Sequence, residues 1–257
     1  RLSGNHGSDN LITGNTMSNG GATVTTNGPY YGVVDYRSRT TRSVGNTITS
    51  NNIEDFFLDG VYMYYCDGFK INNNTFKRST KSVSGPRDYF GRVQNLQVHG
   101  INVSYTNSII STQINGNTFT TPIISTPYIG VRSYQVNSDT TNPIQINENN
   151  ISNVDQRYFV MFGMYITGRN VEVKNNIVDN LKSLKQGVDL GGYYNFGPSY
   201  GYMRGAYISI KGGEVSGNSI TRLNNPVYVY GIDFAYSSKC DLKNNLVNDI
   251  NGDDGSN

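Results

Sequence analysis

A six-residue pattern recurs along the chain and constrains its fold more than any other feature. It consists of an apolar residue, two variable positions, an asparagine, one variable position and a second apolar residue, as in Ile71, Asn74 and Phe76. Copies at irregular spacing indicate repeated structural units joined by loops of variable length. The asparagines of the eight copies are Asn15, Asn51, Asn74, Asn117, Asn149, Asn176, Asn218 and Asn245.

A second pattern, glycine-apolar-variable-apolar, precedes most copies, as in the "GVYM" that begins at Gly60. Alternation of apolar and polar residues over such short stretches is typical of β-strands. Each unit is therefore predicted to contain a strand at the glycine, a second strand before the asparagine and a third strand after it. We expect the seven glycine segments to form one parallel sheet in chain order. They begin at Gly32, Gly60, Gly100, Gly130, Gly163, Gly205 and Gly231.

The asparagine suits a tight corner between two strands. Such a corner needs one residue with a positive φ, and asparagine tolerates that conformation better than other residues with a side chain. If each unit stacks on the previous one, equivalent asparagines lie about 4.8 Å apart. Their amides can then hydrogen-bond to one another along the stack, which satisfies polar groups in a buried corner. A ladder of stacked asparagines is therefore predicted.

These repeats resemble those of right-handed parallel β-helix proteins of the pectate-lyase-like superfamily, and the resemblance covers nearly the whole chain. It implies an all-β, single-stranded solenoid with three sheets, an asparagine ladder and long loops on one side. Residues 1–250 are expected to form a single domain, followed by a polar tail at 251–257, within a fragment of a longer chain. The fold alone does not imply one function, because this architecture carries several chemistries.

Composition narrows the possible partners. A net charge of +2 is too small to suggest nucleic acid. The sequence contains no apolar run of about 18 residues, so no membrane span is expected. Neither a cysteine–histidine spacing typical of zinc sites nor a glycine-rich phosphate loop occurs, so no metal or cofactor is predicted.

Tyrosine dominates the predicted outer surface of the glycine strands. If the apolar residues face inward, the residues two and four positions after each glycine face outward. Tyrosine also favours strands and stacks across them, so a purely structural role remains open. The other interpretation is a surface that binds a sugar chain, since a phenol has an apolar ring and a polar tip. Six of these fourteen positions are tyrosine: Tyr36, Tyr62, Tyr64, Tyr134, Tyr165 and Tyr207.

Two long loops, Lys77 to His99 and Asp179 to Arg204, are predicted beside this surface, and the second contains Tyr193 and Tyr194. Long loops with aromatic residues often carry binding. We expect Tyr165 and Tyr207 on adjacent units, with Arg132 one unit before them.

Candidate catalytic carboxylates occur at two places, because glycoside hydrolysis usually uses a pair of them. Asp233, on the tyrosine surface, and Asp189, in the second loop, form the first candidate pair. Arg132 and Arg204 could hold an acidic sugar or a phosphate there. Glu172 and Glu214, on neighbouring units of the second strand, form the alternative pair, although a solvated acidic face explains these residues better than a catalytic pair does.

Among β-helix proteins the chain resembles bacteriophage tailspikes and appendages. This resemblance implies a homotrimer on a virion tail that binds, and often degrades, a bacterial surface polysaccharide or teichoic acid. A non-catalytic spike or adhesin is the alternative. A calcium-dependent polysaccharide lyase or an epimerase is less favoured, because the motifs of those enzymes are missing from the sequence.

Overall fold

The computed structural model describes residues 7–18, 31–56, 58–78, 97–108, 110–120, 128–156, 160–183, 202–225 and 228–252. In these ranges the protein is all-β, with 24 strands and no helix. Consequently no described helix is long and apolar enough to cross a membrane. The described strands pair in parallel throughout.

The seven glycine segments form adjacent parallel strands in chain order, as the sequence predicts. We call these strands series A. Their equivalent residues are aligned, so that each glycine lies beside the glycine of the next unit. The strands are β3 (Tyr31–Tyr36), β7 (Asp59–Tyr64), β11 (Val98–Ser104), β15 (Tyr128–Ser138), β18 (Val160–Lys174), β20 (Tyr202–Ser216) and β22 (Tyr228–Phe234).

Series B contains the strands that precede the ladder asparagines. Because β18 and β20 are long, they extend from series A into series B and join the two into one 14-stranded sheet. The other strands of series B are β1 (Leu11–Thr13), β5 (Thr47–Thr49), β9 (Lys70–Asn72), β13 (Gln113–Asn115), β16 (Ile144–Asn147) and β23 (Ser238–Lys243).

Series C follows the asparagines and forms an eight-stranded sheet in chain order. Three short strands complete the described fold: β4 (Ser43–Val44) pairs with β8 (Cys66–Asp67), and β12 (Asn107–Ser108) pairs with β15. The strands of series C are β2 (Thr16–Met17), β6 (Asn52–Glu54), β10 (Thr75–Lys77), β14 (Thr118–Thr120), β17 (Asn150–Gln156), β19 (Ile177–Ser183), β21 (Ser219–Asn225) and β24 (Leu246–Gly252).

One buried apolar cluster contains side chains from all three series. Equivalent residues stack from unit to unit; for example, the rings of Phe76 and Phe119 are parallel, with centroids 4.8 Å apart. This aligned stacking explains why the apolar positions repeat in register in the sequence. The stacked residues include Val61, Ile101 and Val131 in series A, Ile71, Ile114 and Ile146 in series B, and Phe119 and Ile151 in series C.

The glycines of series A face inward and leave no room for a side chain. A Cβ atom on Gly100 would lie 2.4 Å from the Phe119 ring and 2.7 Å from the carbonyl oxygen of Gly130. The residue after each glycine also faces inward, as Ile101 does. Two consecutive inward residues interrupt the strict alternation of a strand. The residue before the glycine therefore faces outward.

The asparagine ladder is confirmed along the whole described stack. From Asn15 to Asn218, the backbone N–H and the side-chain Nδ2 of each asparagine donate to Oδ1 of the next one, at 2.8–3.1 Å. Nδ2 also donates to a series B carbonyl of the preceding unit, such as Ile71 O for Asn117. This network satisfies both polar atoms of each interior amide.

The predicted backbone conformation of the ladder asparagines is wrong. The positive φ of each corner belongs to the residue before the asparagine, as at Asn73 (55°) and Glu148 (58°). The asparagines themselves are selected for the hydrogen bonds of their amides, not for tolerance of the left-handed region.

The predicted boundaries of the two long loops are also too wide. Strand β10 includes Lys77 and β11 includes His99, while β19 includes Asp179 and β20 includes Arg204. What lies between, at 79–96 and 184–201, is outside the described residues. Strand β24 ends at Gly252, and the rest of the predicted tail is likewise outside them.

Candidate functional site

The outer face of series A carries three columns of side chains. The two predicted columns lie two and four residues after each glycine, and a third, unpredicted column lies immediately before it. Side chains of neighbouring columns touch: the rings of Tyr31 and Tyr62 stack with centroids 5.5 Å apart. The unpredicted column consists of Tyr31, Asp59, His99, Ile129, Phe162, Arg204 and Tyr230.

Aromatic rings lie against one another at both the early and the later units of this face, with Tyr31, Tyr36, Tyr62 and Tyr64 on β3 and β7. The later group includes Tyr165 and Tyr207, as predicted. These two side chains are aligned on β18 and β20, and their rings stack with centroids 4.8 Å apart. Phe162 packs edge-on against Tyr165, with centroids 5.5 Å apart. Burial, followed by the neighbouring Tyr207, raises the pKa of Tyr165. Its phenol therefore remains protonated at neutral pH and can donate a hydrogen bond.

Arg204 lies at the centre of this aromatic group. Its guanidinium carbon is 4.7–5.6 Å from the centroids of four rings, including Tyr202 and Tyr230. Its Nε lies 3.0 Å from Asp233 Oδ2, and both side chains are about three-quarters buried. We call this group the Arg204 cluster: Phe162, Tyr165, Tyr202, Arg204, Tyr207, Tyr230 and Asp233.

Arg132 lies beside the cluster, one unit before Tyr165, as predicted. Its Nη1 donates to Asn102 Oδ1 at 2.9 Å and to Ser104 Oγ at 2.8 Å. The guanidinium also lies 4.7 Å from the centroid of the Tyr134 ring. Arg132 and Arg204 are thus both occupied by protein partners, which fixes their positions.

Three predicted site residues, Asp189, Tyr193 and Tyr194, lie outside the described residues. The structure brings together Arg132, Tyr134, Tyr165, Tyr207 and Arg204 with Asp233 on series A. The alternative carboxylates, Glu172 and Glu214, lie apart from these residues, on the series B portions of β18 and β20.

Glu172 and Glu214 are neighbours, and a lysine bridges them. Lys174 Nζ lies 3.0 Å from an oxygen of each carboxylate. Its hydrogen bond to Glu214 holds the pKa of that carboxyl below its ordinary value. Glu214 is therefore ionised near neutral pH, which fits a base or nucleophile and not the proton donor of a glycosidase.

Replacing Lys174 with methionine should destabilise the protein in a pH-dependent way. The lowered pKa of Glu214 means that its contribution to stability is present above the unfolded-state pKa of about 4.3 and is lost as pH falls through the lower folded-state pKa. The difference in Tm between wild type and Lys174→Met should therefore be largest near neutral pH and shrink in acid. Thermal melts across this range check it, with the exposed Lys70→Met as control. A difference that is constant with pH would contradict the bridge.

A histidine–aspartate pair lies on the earlier units of the same face, although His99 appears isolated in the sequence. His99 and Asp59 are aligned on β11 and β7, and Nδ1 lies 2.6 Å from Asp59 Oδ1. Asn102 Nδ2 lies 3.4 Å from the same oxygen. The other ring nitrogen, Nε2, is buried and has no hydrogen-bond partner among the described residues. Asp59 thus orients the imidazole of His99. The repeat pattern could have indicated this pair, because Asp59 directly precedes Gly60 and His99 directly precedes Gly100.

The side chains of the series A face follow one another along the stack. Aromatic and polar residues occur on consecutive parallel strands about 4.8 Å apart, so neighbouring units place rings and charged groups side by side. Comparisons of the chain with protein-family models, with curated proteins and with solved structures found no match, so no family is assigned to it.

Proposed function

We propose that the protein binds a carbohydrate polymer of the bacterial surface, a polysaccharide or teichoic acid, along the outer face of series A. The observation that carries this proposal is the Arg204 cluster. Stacked tyrosine rings around a central guanidinium offer apolar faces to sugar rings and hydrogen bonds to their hydroxyls. Fixed side chains also lose little entropy when a ligand binds.

The fold we propose for this task is a right-handed parallel β-helix with three sheets, in which series A, B and C form the three sides. Parallel strands that follow one another in chain order within each series support it. The resemblance to bacteriophage tailspikes extends the proposal to a homotrimer on a virion tail.

Binding is a better-supported function than cleavage. Each described carboxylate of the predicted catalytic set has a cation within 3.0 Å: Arg204 for Asp233, and Lys174 for Glu172 and Glu214. Glycoside hydrolysis by either pair therefore remains a second proposal. Hydrolysis requires that the bound polymer separates a carboxylate from its cation. For Asp233, the other possibility is that Asp189 supplies the second carboxylate.

Tyr207→Ala should weaken polymer binding about tenfold, because it removes one of the two stacked rings from the centre of the cluster. Calorimetry with purified capsular polysaccharide and teichoic acid would measure the change. Leu246→Ala is the control, since it removes an exposed apolar side chain from β24 of series C, outside the proposed binding face. Equal affinity of wild type and Tyr207→Ala, or no binding of any such polymer, would refute the proposed function.

The same incubations separate binding from cleavage. New reducing ends or released phosphate from wild type, but not from Asp233→Asn, would establish hydrolysis on series A. Loss of product in Glu214→Gln alone would assign the reaction to series B. Binding without product in all three proteins would identify a non-catalytic spike.

A further inference from the structure

A groove of about 700 Å³ lies at the corner where the series A strands turn toward series B. It runs beside the Arg204 cluster, because Tyr134, Thr167 and Ser209 on its wall each follow an outward residue of series A by two positions. We call it the corner groove. A polymer that follows the stack on the outer face of β15, β18 and β20 would therefore lie alongside this groove.

Two cations line the corner groove on neighbouring strands. Arg169 of β18 is aligned with Lys211 of β20, and both are exposed. Neither side chain makes a hydrogen bond or an ion pair within the described ranges, whereas the side chains of Arg132 and Arg204 contact protein groups. These two are thus the cations beside the proposed binding face that are available to a ligand.

The remaining lining of the groove is mostly polar or aromatic, with Gly168 and Ile210 as the exceptions, and no described lining residue is a carboxylate. The nearest acid in sequence, Asp139, accepts three hydrogen bonds within its own turn, from Thr141 and Asn142. At the far end, the Tyr236 side chain is 94% exposed. Fully exposed aromatic rings are common where proteins contact a ligand or partner.

We propose that the corner groove binds anionic groups of the polymer, either phosphodiesters or carboxylates, through Arg169 and Lys211. The outer face would hold the neutral sugar rings of the same molecule. Cations on adjacent strands match a ligand whose negative charges repeat along its length. The inference rests on the proposed function, and it goes beyond it by assigning charge to the ligand and by locating where that charge is bound.

The test is the double variant Arg169→Gln/Lys211→Gln against poly(glycerol phosphate), polygalacturonate and neutral dextran. We expect wild type to bind at least one of the anionic polymers, and the double variant to bind it about tenfold more weakly and with less dependence on salt. Tighter binding of poly(glycerol phosphate) would identify phosphodiesters as the anionic groups that the corner groove binds, and tighter binding of polygalacturonate would identify carboxylates. Lys70→Gln/Lys182→Gln, which removes two exposed cations on series B and C, should bind like wild type.

The inference is overturned if wild type binds neither anionic polymer, or if the double variant binds them as tightly as wild type does. Its failure is separable from failure of the proposed function. One outcome is that a neutral glycan binds, and that Tyr207→Ala weakens this binding while Arg169→Gln/Lys211→Gln does not. The proposed binding face would then stand, and the anion site in the corner groove would be refuted.

Discussion

Replacing Gly100 with alanine is expected to lower the free energy of unfolding by about 3 kcal/mol. The new methyl group would collide with the Phe119 ring, at 2.4 Å, and with the Gly130 carbonyl oxygen, at 2.7 Å. The ring can shift, but the oxygen belongs to the backbone of the next strand and can move only if that strand moves. Chemical denaturation of wild type and variant measures the loss.

Two further variants test this explanation. Gly14→Ala is a contrasting case, because it adds a methyl group where no described atom lies within 4 Å but at a φ of +67°, so it causes backbone strain without a collision. We expect it to cost about 1–2 kcal/mol. Phe119→Leu, made both alone and in the Gly100→Ala background, completes a double-mutant cycle. If the backbone collision dominates, Gly100→Ala should cost nearly as much in the Phe119→Leu protein as in wild type. If Gly100→Ala were as stable as wild type, β11 and β15 would be able to move apart without a cost in free energy, which would contradict this prediction.

Asn117→Ala should destabilise the protein by about 3–5 kcal/mol, because several buried polar groups lose a partner at once. Asn117 donates to Ile71 O at 2.7 Å and to Asn149 Oδ1 at 3.0 Å. Its Oδ1 accepts the backbone N–H of Asn74 at 3.0 Å and the side-chain amide of Asn74 at 3.1 Å. The site is fully buried, so water cannot replace these bonds. Equilibrium unfolding in urea gives the value.

The controls for this variant use the same chemical change at other depths. Asn224→Ala, on the exposed side of β21, should leave stability within about 0.5 kcal/mol of wild type. Asn245→Ala, at the half-exposed last rung of the described ladder, should cost less than Asn117→Ala because water can satisfy the freed groups. If all three variants had the same free energy of unfolding, the hydrogen bonds of the ladder would contribute no more to stability than an exposed asparagine does.

The alignment of the units could be predicted from the sequence because it is encoded twice. The asparagine of each unit must lie beside the next asparagine because their amides hydrogen-bond to each other. The glycine must lie beside the next glycine because there is no room for a side chain at that position. Once they are aligned, the neighbours Arg132, Tyr165 and Tyr207 fall into adjacent positions without further information.

The outward column before the glycine could not be predicted by alternation. Alternation from Val61 or Ile101 assigns Asp59 and His99 to the interior. The inward glycine adds one residue between them, so they face outward, and the histidine–aspartate pair was missed for this reason.

The ion pairs of the site were missed for a different reason. Arg204 and Lys174 reach Asp233 and Glu214 on the neighbouring strand, and such contacts depend on side-chain conformation, which a repeat pattern does not specify. In the sequence alone, Glu172 and Glu214 of series B are expected to repel each other, because the position of the Lys174 side chain between them is not known.

The asparagine ladder also has a direction. Every carboxamide in it donates toward the following unit and accepts from the preceding one, so the side-chain dipoles add head to tail, and each polarises the next. The two ends of the stack consequently differ in electrical character, as the ends of a helix do. The Asn15 end offers oxygen and favours donors or positive charge, whereas the Asn245 end offers hydrogen and favours carbonyls or carboxylates. A protein engineered to cover either end would need the matching chemistry, and exchanging the two covers would leave both ends unsatisfied.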